Sequence, residues 1–116
     1  MSDTEPLIRD IRHADARIDL QLFLPESLLY LQGHFPGLAI LPGVVQLDWA
    51  IRYARRYLGI GDAAAATVQV KFHRPIRPNR QIELSLAYAA ERKRLSFECR
   101  EAAEVCSSGQ IVFDEP

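Results

Sequence analysis

The sequence predicts an α+β domain in which one antiparallel β-sheet wraps around a single α-helix. One helical pattern of apolar residues lies between strand-like segments, and short turns join the later strands. Short turns connect antiparallel neighbours, and a lone helix packs well against a curved sheet. We expect residues 1–116 to form a single domain, because 116 residues with 48% hydrophobic content suit one core.

Two strands are expected before the helix. Over residues 17–24 branched apolar side chains alternate with polar ones, as in a half-buried strand, and a shorter strand is expected around Leu7–His13. The connection from Pro25 to Leu41 is long for so small a domain. Long ordered connections of this kind usually carry function.

The helix is expected to open at Pro42-Gly43 and to stop at Gly59 and Gly61. Apolar residues follow at three- and four-residue steps, which defines a stripe of Val44, Leu47, Ile51, Ala54 and Leu58. The opposite side also carries apolar residues, Val45, Trp49 and Tyr53. A helix that is apolar all round is expected to be enclosed.

The second half of the chain predicts four strands. Alternating patterns occupy 68–72, 82–88 and 95–99, and a last strand lies near 105–113. The connections RPIRPNRQ, AAERKR and REAAE carry turn residues, so consecutive strands are expected to be antiparallel neighbours.

Composition narrows the class of protein. The net charge is −1 with 25% charged residues, which gives no overall attraction to nucleic acid. The apolar runs are too short to span a membrane, and the acidic, polar N-terminus does not resemble a secretory signal. Cys99 and Cys106 fit no metal or redox spacing, so we expect reduced thiols, a cytoplasmic location, and neither a metal nor a bound cofactor.

Residues 33–48, GHFPGLAILPGVVQLD, are the most informative segment for function. Three glycines and two prolines within eleven residues fix an unusual backbone path. The imidazole of His34 can accept a proton near neutral pH, and a partly desolvated Asp48 could hold and donate one. The helix N-terminus at Gly43 and Val44 offers free N–H groups for a developing oxyanion. Base, acid and oxyanion donor are the parts that a β-elimination next to a thioester needs.

Each feature also has a structural interpretation. A loop histidine often serves only as a hydrogen-bonding group, and Asp48 could simply pair with Arg52 four residues later. Pro42-Gly43 could be no more than a helix start. Residue types and spacing therefore leave catalysis open.

The pattern GHFPGxxxxPGxxxxD resembles the active-site segment of the hot-dog-fold 3-hydroxyacyl-[acyl-carrier-protein] dehydratases, the FabA/FabZ group of fatty acid synthesis. The later segment VQVKFHRPIRPNRQIEL is similar to the next strand of that family. The resemblance implies a hot-dog fold with His34 as base, Asp48 as acid and a Gly43 N–H as oxyanion donor. It also implies a homodimer in which the histidine and the acid of one site come from different subunits.

A smaller subset is more similar still, the ApeI-like dehydratases of aryl polyene and xanthomonadin pigment clusters. They share a PGVxQLDW helix start, here Pro42–Trp49, and a SSGxI segment, here Ser107–Ile111. The resemblance implies dehydration of 3-hydroxyacyl chains to trans-2-enoyl thioesters on a carrier protein. One departure is Ala39, which stands where FabZ-type enzymes usually have proline.

Local charge suggests a docking partner. From Arg52 to Arg80 the sequence has seven basic residues and a single acidic one, Asp62. A basic rim would attract an acidic acyl carrier protein and the phosphate of its phosphopantetheine arm, although these could be ordinary surface charges. The candidate docking residues are Arg52, Arg55, Arg56, Arg74 and Arg77.

Phe35 and Trp49 are candidate acyl-binding residues, with plain core packing as the alternative. Two other functions stay open at this point. One is a hot-dog thioesterase that hydrolyses the thioester, and the other is a non-catalytic subunit that binds the acyl carrier protein.

Overall fold

A computed structural model describes residues 5–27 and 40–114 of the chain. Within these residues six antiparallel strands form one sheet, and one helix packs on its face. The elements in chain order are β1 (Leu7–Ala14), β2 (Arg17–Phe23), α1 (Gly43–Leu58), β3 (Ala65–Phe72), β4 (Gln81–Ala89), β5 (Arg94–Glu101) and β6 (Glu104–Phe113). This confirms the predicted sheet around one central helix.

The strand order across the sheet is β1-β2-β4-β5-β6-β3. Tight connections make antiparallel hairpins of β1–β2, β4–β5 and β5–β6, as short turns predict. The expectation that β3 and β4 are neighbours was wrong, because β3 pairs with β6 and β4 pairs with β2. The connection 73–80 therefore crosses between strands that lie apart in the sheet. Backbone N–H groups at its start donate to Cys106 O in β6, which anchors this crossing.

The ends of α1 follow from their residues. Pro42 is the N-cap with φ −60° and ψ 146°, an extended conformation that proline adopts readily before a helix. Gly59 ends the helix with φ 64°, in the left-handed region where a side chain would be strained. The predicted helix start and stop are thus confirmed.

The most deeply buried side of the helix overlaps the predicted stripe only at Ala54, while Leu47, Ile51 and Leu58 of that stripe are partly buried. Its most buried apolar side chains are Trp49, Ala50, Tyr53 and Ala54, which lie against the sheet. Val44, the first residue of the predicted stripe, is 73% exposed. Because apolar residues occupy both sides of α1, periodicity alone could not choose the inner side, and the described chain leaves the Val44 side uncovered rather than enclosed.

The core lies between α1 and the central strands of the sheet. Buried side chains from β2, β4 and β5 alternate with mostly half-buried ones and point toward the helix, including Leu20, Leu22, Leu84, Leu86, Leu95 and Phe97. By contrast β3 is exposed along its length, apart from the half-buried Val70. Over residues 5–27 and 40–114, no helix is both long and apolar enough to cross a membrane.

Candidate active site at the N-terminus of the helix

A cleft of about 530 Å³ opens where α1 begins. One wall is the chain entering the helix, Ile40–Gly43, together with Gln46. The other wall is the end of β3 and the residues after it, Phe72–Pro75. The cleft thus brings together the two segments on which the family resemblance rests.

The floor of this cleft is the first turn of α1. Helical hydrogen bonding begins with Val45 N and Gln46 N, which donate to Pro42 O at 3.1 and 3.3 Å. The N–H groups of Gly43 and Val44 precede these bonds and lie at the positive end of the helix dipole. An acceptor oxygen in the cleft would therefore meet N–H donors that have no hydrogen-bond partner within the helix.

Gly43 allows a close approach at this point. A Cβ atom placed on Gly43 would lie 2.5 Å from Cζ of Phe72, so the aromatic ring rests directly against the glycine backbone. Phe72 is the last residue of β3 and is itself 56% exposed. A glycine is needed here for space rather than for an unusual backbone angle.

Hydrogen bonds fix both walls of the cleft to the rest of the fold. Leu41 N donates to Ile76 O at 2.8 Å, and the Gln46 side-chain Nε2 donates to Leu41 O at 3.2 Å. On the other side the N–H groups of His73 and Arg74 donate to Cys106 O at 2.8 and 3.1 Å. The cleft is thus held by backbone bonds on each side of its entrance.

Asp48 lies on the exposed side of α1, one turn after Val44. Its carboxylate accepts a hydrogen bond of 2.7 Å from Arg52 Nη2, and its side chain is 50% exposed. The structure therefore forms the i,i+4 pair that was one of the two interpretations of Asp48. Half of the Asp48 side chain stays in solvent within the described chain, because the helix turns this side away from the sheet, and its predicted role as acid stays a prediction.

His34 and Phe35 lie outside the described residues, so their predicted roles as base and as acyl contact stay predictions. Gly43 lines the cleft, and Val44 is beside it in the first turn of α1. Trp49 is only 1% exposed and belongs to the core, and it is not among the described residues that line the cleft. A role for Trp49 in substrate binding stays a prediction.

The predicted basic rim divides into two groups. Arg52 and Arg56 both lie near Glu5, at 3.8 and 3.3 Å, and Arg55 donates to the carbonyl oxygens of Gly61 and Ala63. The contacts with Glu5 tie the N-terminal segment to α1, and the bonds from Arg55 fix the chain that follows the helix.

The second basic group lies after β3. Arg74 lines the cleft and pairs with Glu104, while Arg77 is exposed. Among the five candidate docking residues, Arg74 alone borders the cleft as described. Acidic residues distant in sequence thus offset much of the local excess of positive charge between Arg52 and Arg80.

Glu5 also contacts the buried end of Tyr53. The Tyr53 hydroxyl donates to Glu5 Oε1 at 3.4 Å, and the guanidinium of Arg56 lies 5.2 Å from the Tyr53 ring centroid. Burial, followed by the negative charge of Glu5, raises the pKa of Tyr53. This network ties the start of the chain to the middle of α1.

Three residues of the site region were missed by sequence reasoning: Gln46, Phe72 and Glu5. Gln46 carries a weak signal, since it is a polar residue within the apolar run from Val44 to Leu47. Phe72 was assigned to a strand, but nothing local shows that this strand ends against Gly43. The contact of Glu5 with a helix about fifty residues away has no signal in the sequence.

Comparison with known proteins decides the family. The model of the ApeI-like family, described as ApeI dehydratase, matches residues 10–110. The chain belongs to the ApeI-like dehydratase family. One chain of the dehydratase heterocomplex ApeI:P from Xenorhabdus doucetiae superposes with a TM-score of 0.89, at 28% identity over 96% of this chain and 99% of that one.

Two further relatives agree with this assignment. An uncharacterized protein from Erwinia carotovora subsp. atroseptica has a TM-score of 0.75, with 31% identity over 95% of this chain and 94% of that chain. The 3-hydroxyacyl-[acyl-carrier-protein] dehydratase FabZ of Erythrobacter litoralis (strain HTCC2594) is 28% identical over 95 residues, 72% of this chain. The aligned region spans 62% of the length of that FabZ. The predicted hot-dog dehydratase family and fold are confirmed.

Proposed function

We propose that this ApeI-like protein removes water from 3-hydroxyacyl thioesters carried on an acyl carrier protein. The observation that carries the proposal is the cleft at the start of α1, where Gly43 lies against the ring of Phe72 and the first turn leaves the N–H groups of Gly43 and Val44 without helical partners. A thioester carbonyl oxygen bound there becomes partly negative as the α-proton leaves. Fixed N–H donors stabilise such charge.

The reaction needs two proton transfers. His34 removes the proton from the carbon next to the thioester carbonyl, and electron density moves onto the carbonyl oxygen. The carbon–oxygen bond at the β-carbon then breaks, and Asp48 supplies the proton with which the hydroxyl leaves as water. The product is the trans-2-enoyl thioester. Support for these two roles comes from the motif that places His34 and Asp48 around Gly43.

The active site is shared between two chains in this proposal. Asp48 lies on the uncovered side of α1 with Val44, while Val68 and Phe72 are exposed on the neighbouring edge strand at 42% and 56%. A second chain seated over these apolar side chains would cover Asp48 and remove it from water. Asp48 would then serve the site of that second chain.

The second chain is a copy of this one or a related dehydratase subunit. The Xenorhabdus structure is named as a heterocomplex, which supports testing both arrangements. The acyl carrier protein would approach from the cleft entrance, where Arg74 and the exposed Arg77 can meet its acidic surface. We also place the enzyme in the cytoplasm, where the unpaired thiols of Cys99 and Cys106 stay reduced.

Active-site complementation tests the mechanism and the shared site together. His34→Ala and Asp48→Asn should each lower dehydration of a 3-hydroxyacyl thioester by about 10²–10⁴-fold. When the two inactive variants are mixed and allowed to exchange subunits, about a quarter of wild-type activity should return, since half of the dimers then carry one intact site.

The outcomes separate the alternatives. Activity retained by both variants contradicts the assigned base and acid. Two inactive variants that stay inactive after confirmed subunit exchange place His34 and Asp48 in the same chain's site. Release of free thiol without an enoyl product identifies a thioesterase, and carrier binding without turnover identifies a non-catalytic subunit.

The substrate class within this proposal is a chain under elongation. The family match supports a role in fatty acid or aryl polyene synthesis. Competition between saturated and polyunsaturated 3-hydroxyacyl chains of equal length, compared by kcat/KM, decides between the two. A preference for the conjugated chain supports pigment synthesis, and equal values support general lipid synthesis.

A further inference from the structure

Gln46 is a buried polar residue with one half of its amide unused. The residue is 4% exposed and lies one turn into α1. Its Oε1 atom is closed to solvent and meets no hydrogen-bond donor among residues 5–27 and 40–114. Buried acceptors without a donor are uncommon in folded proteins, and each one needs an explanation.

The orientation of the Gln46 amide follows from its other contact. Leu41 O lies 3.2 Å from the Gln46 side chain and, as a carbonyl, can only accept a hydrogen bond. The NH₂ group must therefore face Leu41, and the oxygen must face away from it. A rotation of the amide by 180° would set two acceptors against each other, so it cannot relieve the unpaired Oε1.

Gln46 also lines the cleft that begins at Gly43. The first turn of α1 leaves N–H donors at this cleft, while the unpaired Gln46 Oε1 lies behind the cleft wall, where a ligand reaches it once the side chain turns toward the cleft. A ligand that satisfies both must carry an acceptor and a hydrogen-bond donor a short distance apart. A 3-hydroxyacyl pantetheine thioester fits, because its carbonyl is flanked by the 3-hydroxyl on one side and by an amide N–H of the pantetheine arm on the other.

We propose that Gln46 is a substrate-binding residue whose Oε1 accepts a hydrogen bond from an O–H or N–H group of the bound thioester. The proposal rests on the proposed function, since it uses the same cleft. Gln46 would then bind the substrate next to the carbonyl that Gly43 and Val44 hold. Its role is to orient the thioester, and it takes no part in proton transfer.

Four thioester ligands with equal short acyl chains test the contact. They are the 3-hydroxyacyl and the saturated acyl thioesters, each made with N-acetylcysteamine and with propanethiol. N-acetylcysteamine supplies the amide N–H of the pantetheine arm, and propanethiol lacks it. The set therefore offers both donors, the hydroxyl only, the amide only, or neither. Dissociation constants are measured by calorimetry with the full-length protein.

The test variant is Gln46→Met, which keeps the length of the side chain and removes the amide. Its affinity should fall on the order of tenfold for ligands that carry the bonded donor, and stay at the wild-type value for the ligand with neither donor. Loss confined to the 3-hydroxyacyl ligands identifies the hydroxyl as the donor. Loss confined to the N-acetylcysteamine ligands identifies the amide. Either result supports the proposal.

A stability measurement separates binding from folding. In the ligand-free protein Gln46→Met removes an unpaired acceptor along with one hydrogen bond, so its thermal midpoint should match or exceed the wild-type value. Tyr53→Phe is the matched control, since it removes a buried hydroxyl from the same helix away from the cleft. All four affinities should be unchanged in that control.

Two results would overturn the proposal. An equal loss of affinity for all four ligands, or wild-type affinity for all four, means that Gln46 has only a structural role. If wild-type protein dehydrates the 3-hydroxyacyl thioester in either case, the proposed function stands and this inference alone fails. A wild-type protein that binds none of the ligands removes the proposed function and this inference with it.

Discussion

Gly43 is the residue whose size matters most to the cleft. A Cβ atom at this position would lie 2.5 Å from the Phe72 ring, and that ring is an exposed, movable side chain. Gly43→Ala should therefore change stability by less than about 1 kcal/mol while it disturbs the surface of the proposed thioester site. We expect kcat/KM to fall about tenfold or more, because small displacements at a reacting group are costly.

The double variant Gly43→Ala, Phe72→Ala provides the control for that prediction. Removing the ring gives the new methyl group space, so kcat/KM should recover relative to Gly43→Ala alone. Steady-state kinetics and thermal unfolding of the wild type, Gly43→Ala and the double variant measure both effects. Wild-type kcat/KM in Gly43→Ala would contradict the assignment of the thioester carbonyl to this glycine.

The buried thiol of Cys99 is expected to make the folded protein less stable at alkaline pH. Burial raises the pKa of the folded Cys99 thiol from 9.0 to about 12. Between these values the unfolded chain releases the proton and the folded chain keeps it, so the free energy of unfolding falls as pH rises from about 9 to about 12. Below pH 9 both states are protonated and this effect is absent.

Urea unfolding of wild type and Cys99→Ala measures this effect at several alkaline pH values. Other buried groups, including Tyr53, also lower the free energy of unfolding as pH rises. The quantity to compare is therefore the slope of the free energy of unfolding against pH in the two proteins. The slope should be shallower in Cys99→Ala. Identical slopes would show that Cys99 titrates in the folded state as it does in the unfolded chain.

At the scale of elements, the contact between β3 and β6 depends on Gly109. A Cβ atom there would lie 2.5 Å from the backbone oxygen of Gln69 in β3 and 2.7 Å from the Phe97 ring in β5. A backbone atom cannot move aside without loss of the strand pairing. Gly109→Ala should therefore destabilise the protein by about 1–3 kcal/mol, as overpacking of a filled core does.

Ser108→Ala is the matched control for Gly109→Ala, since it changes the adjacent residue of β6, which is half-buried and points to the other face. Its effect should stay within about 0.5 kcal/mol. Urea denaturation measures both variants. Equal stability of Gly109→Ala and wild type would mean that β3 can separate from β6 without cost.

At the scale of the whole molecule, one edge of the sheet is expected to be an interface. β3 forms that edge, presents Val68 and Phe72 to solvent, and ends at the cleft. Val68→Lys would place a charge in the contact with a second chain. We expect a lower molar mass by light scattering and a parallel loss of dehydratase activity.

Ile11→Lys is a matched control on the opposite edge of the sheet. Ile11 in β1 is 40% exposed, close to the 42% of Val68, and β1 forms the sheet edge opposite β3. This variant should keep the wild-type molar mass and activity. An active, unchanged assembly in Val68→Lys would place the interface elsewhere, and the loss of assembly in Ile11→Lys would move it to β1.

The sequence by itself determined the local elements and the family. Alternation along the strands, Pro42 and Gly59 at the ends of α1, and the motif around Gly43 are all properties of neighbouring residues. Such signals can be read from one sequence because they depend only on residues close together along the chain. They were enough to predict a sheet around one helix and a hot-dog dehydratase.

Only the tertiary structure decided which elements meet. The placement of β3 beside β6, the buried side of α1 and the contact of Glu5 with Arg56 all join residues far apart in sequence. A helix with apolar residues on both sides carries no pattern that selects one, and strand neighbours depend on long-range pairing. For the same reason the cleft that joins Gly43, Gln46 and Phe72 exists only once the two chain segments have been brought together.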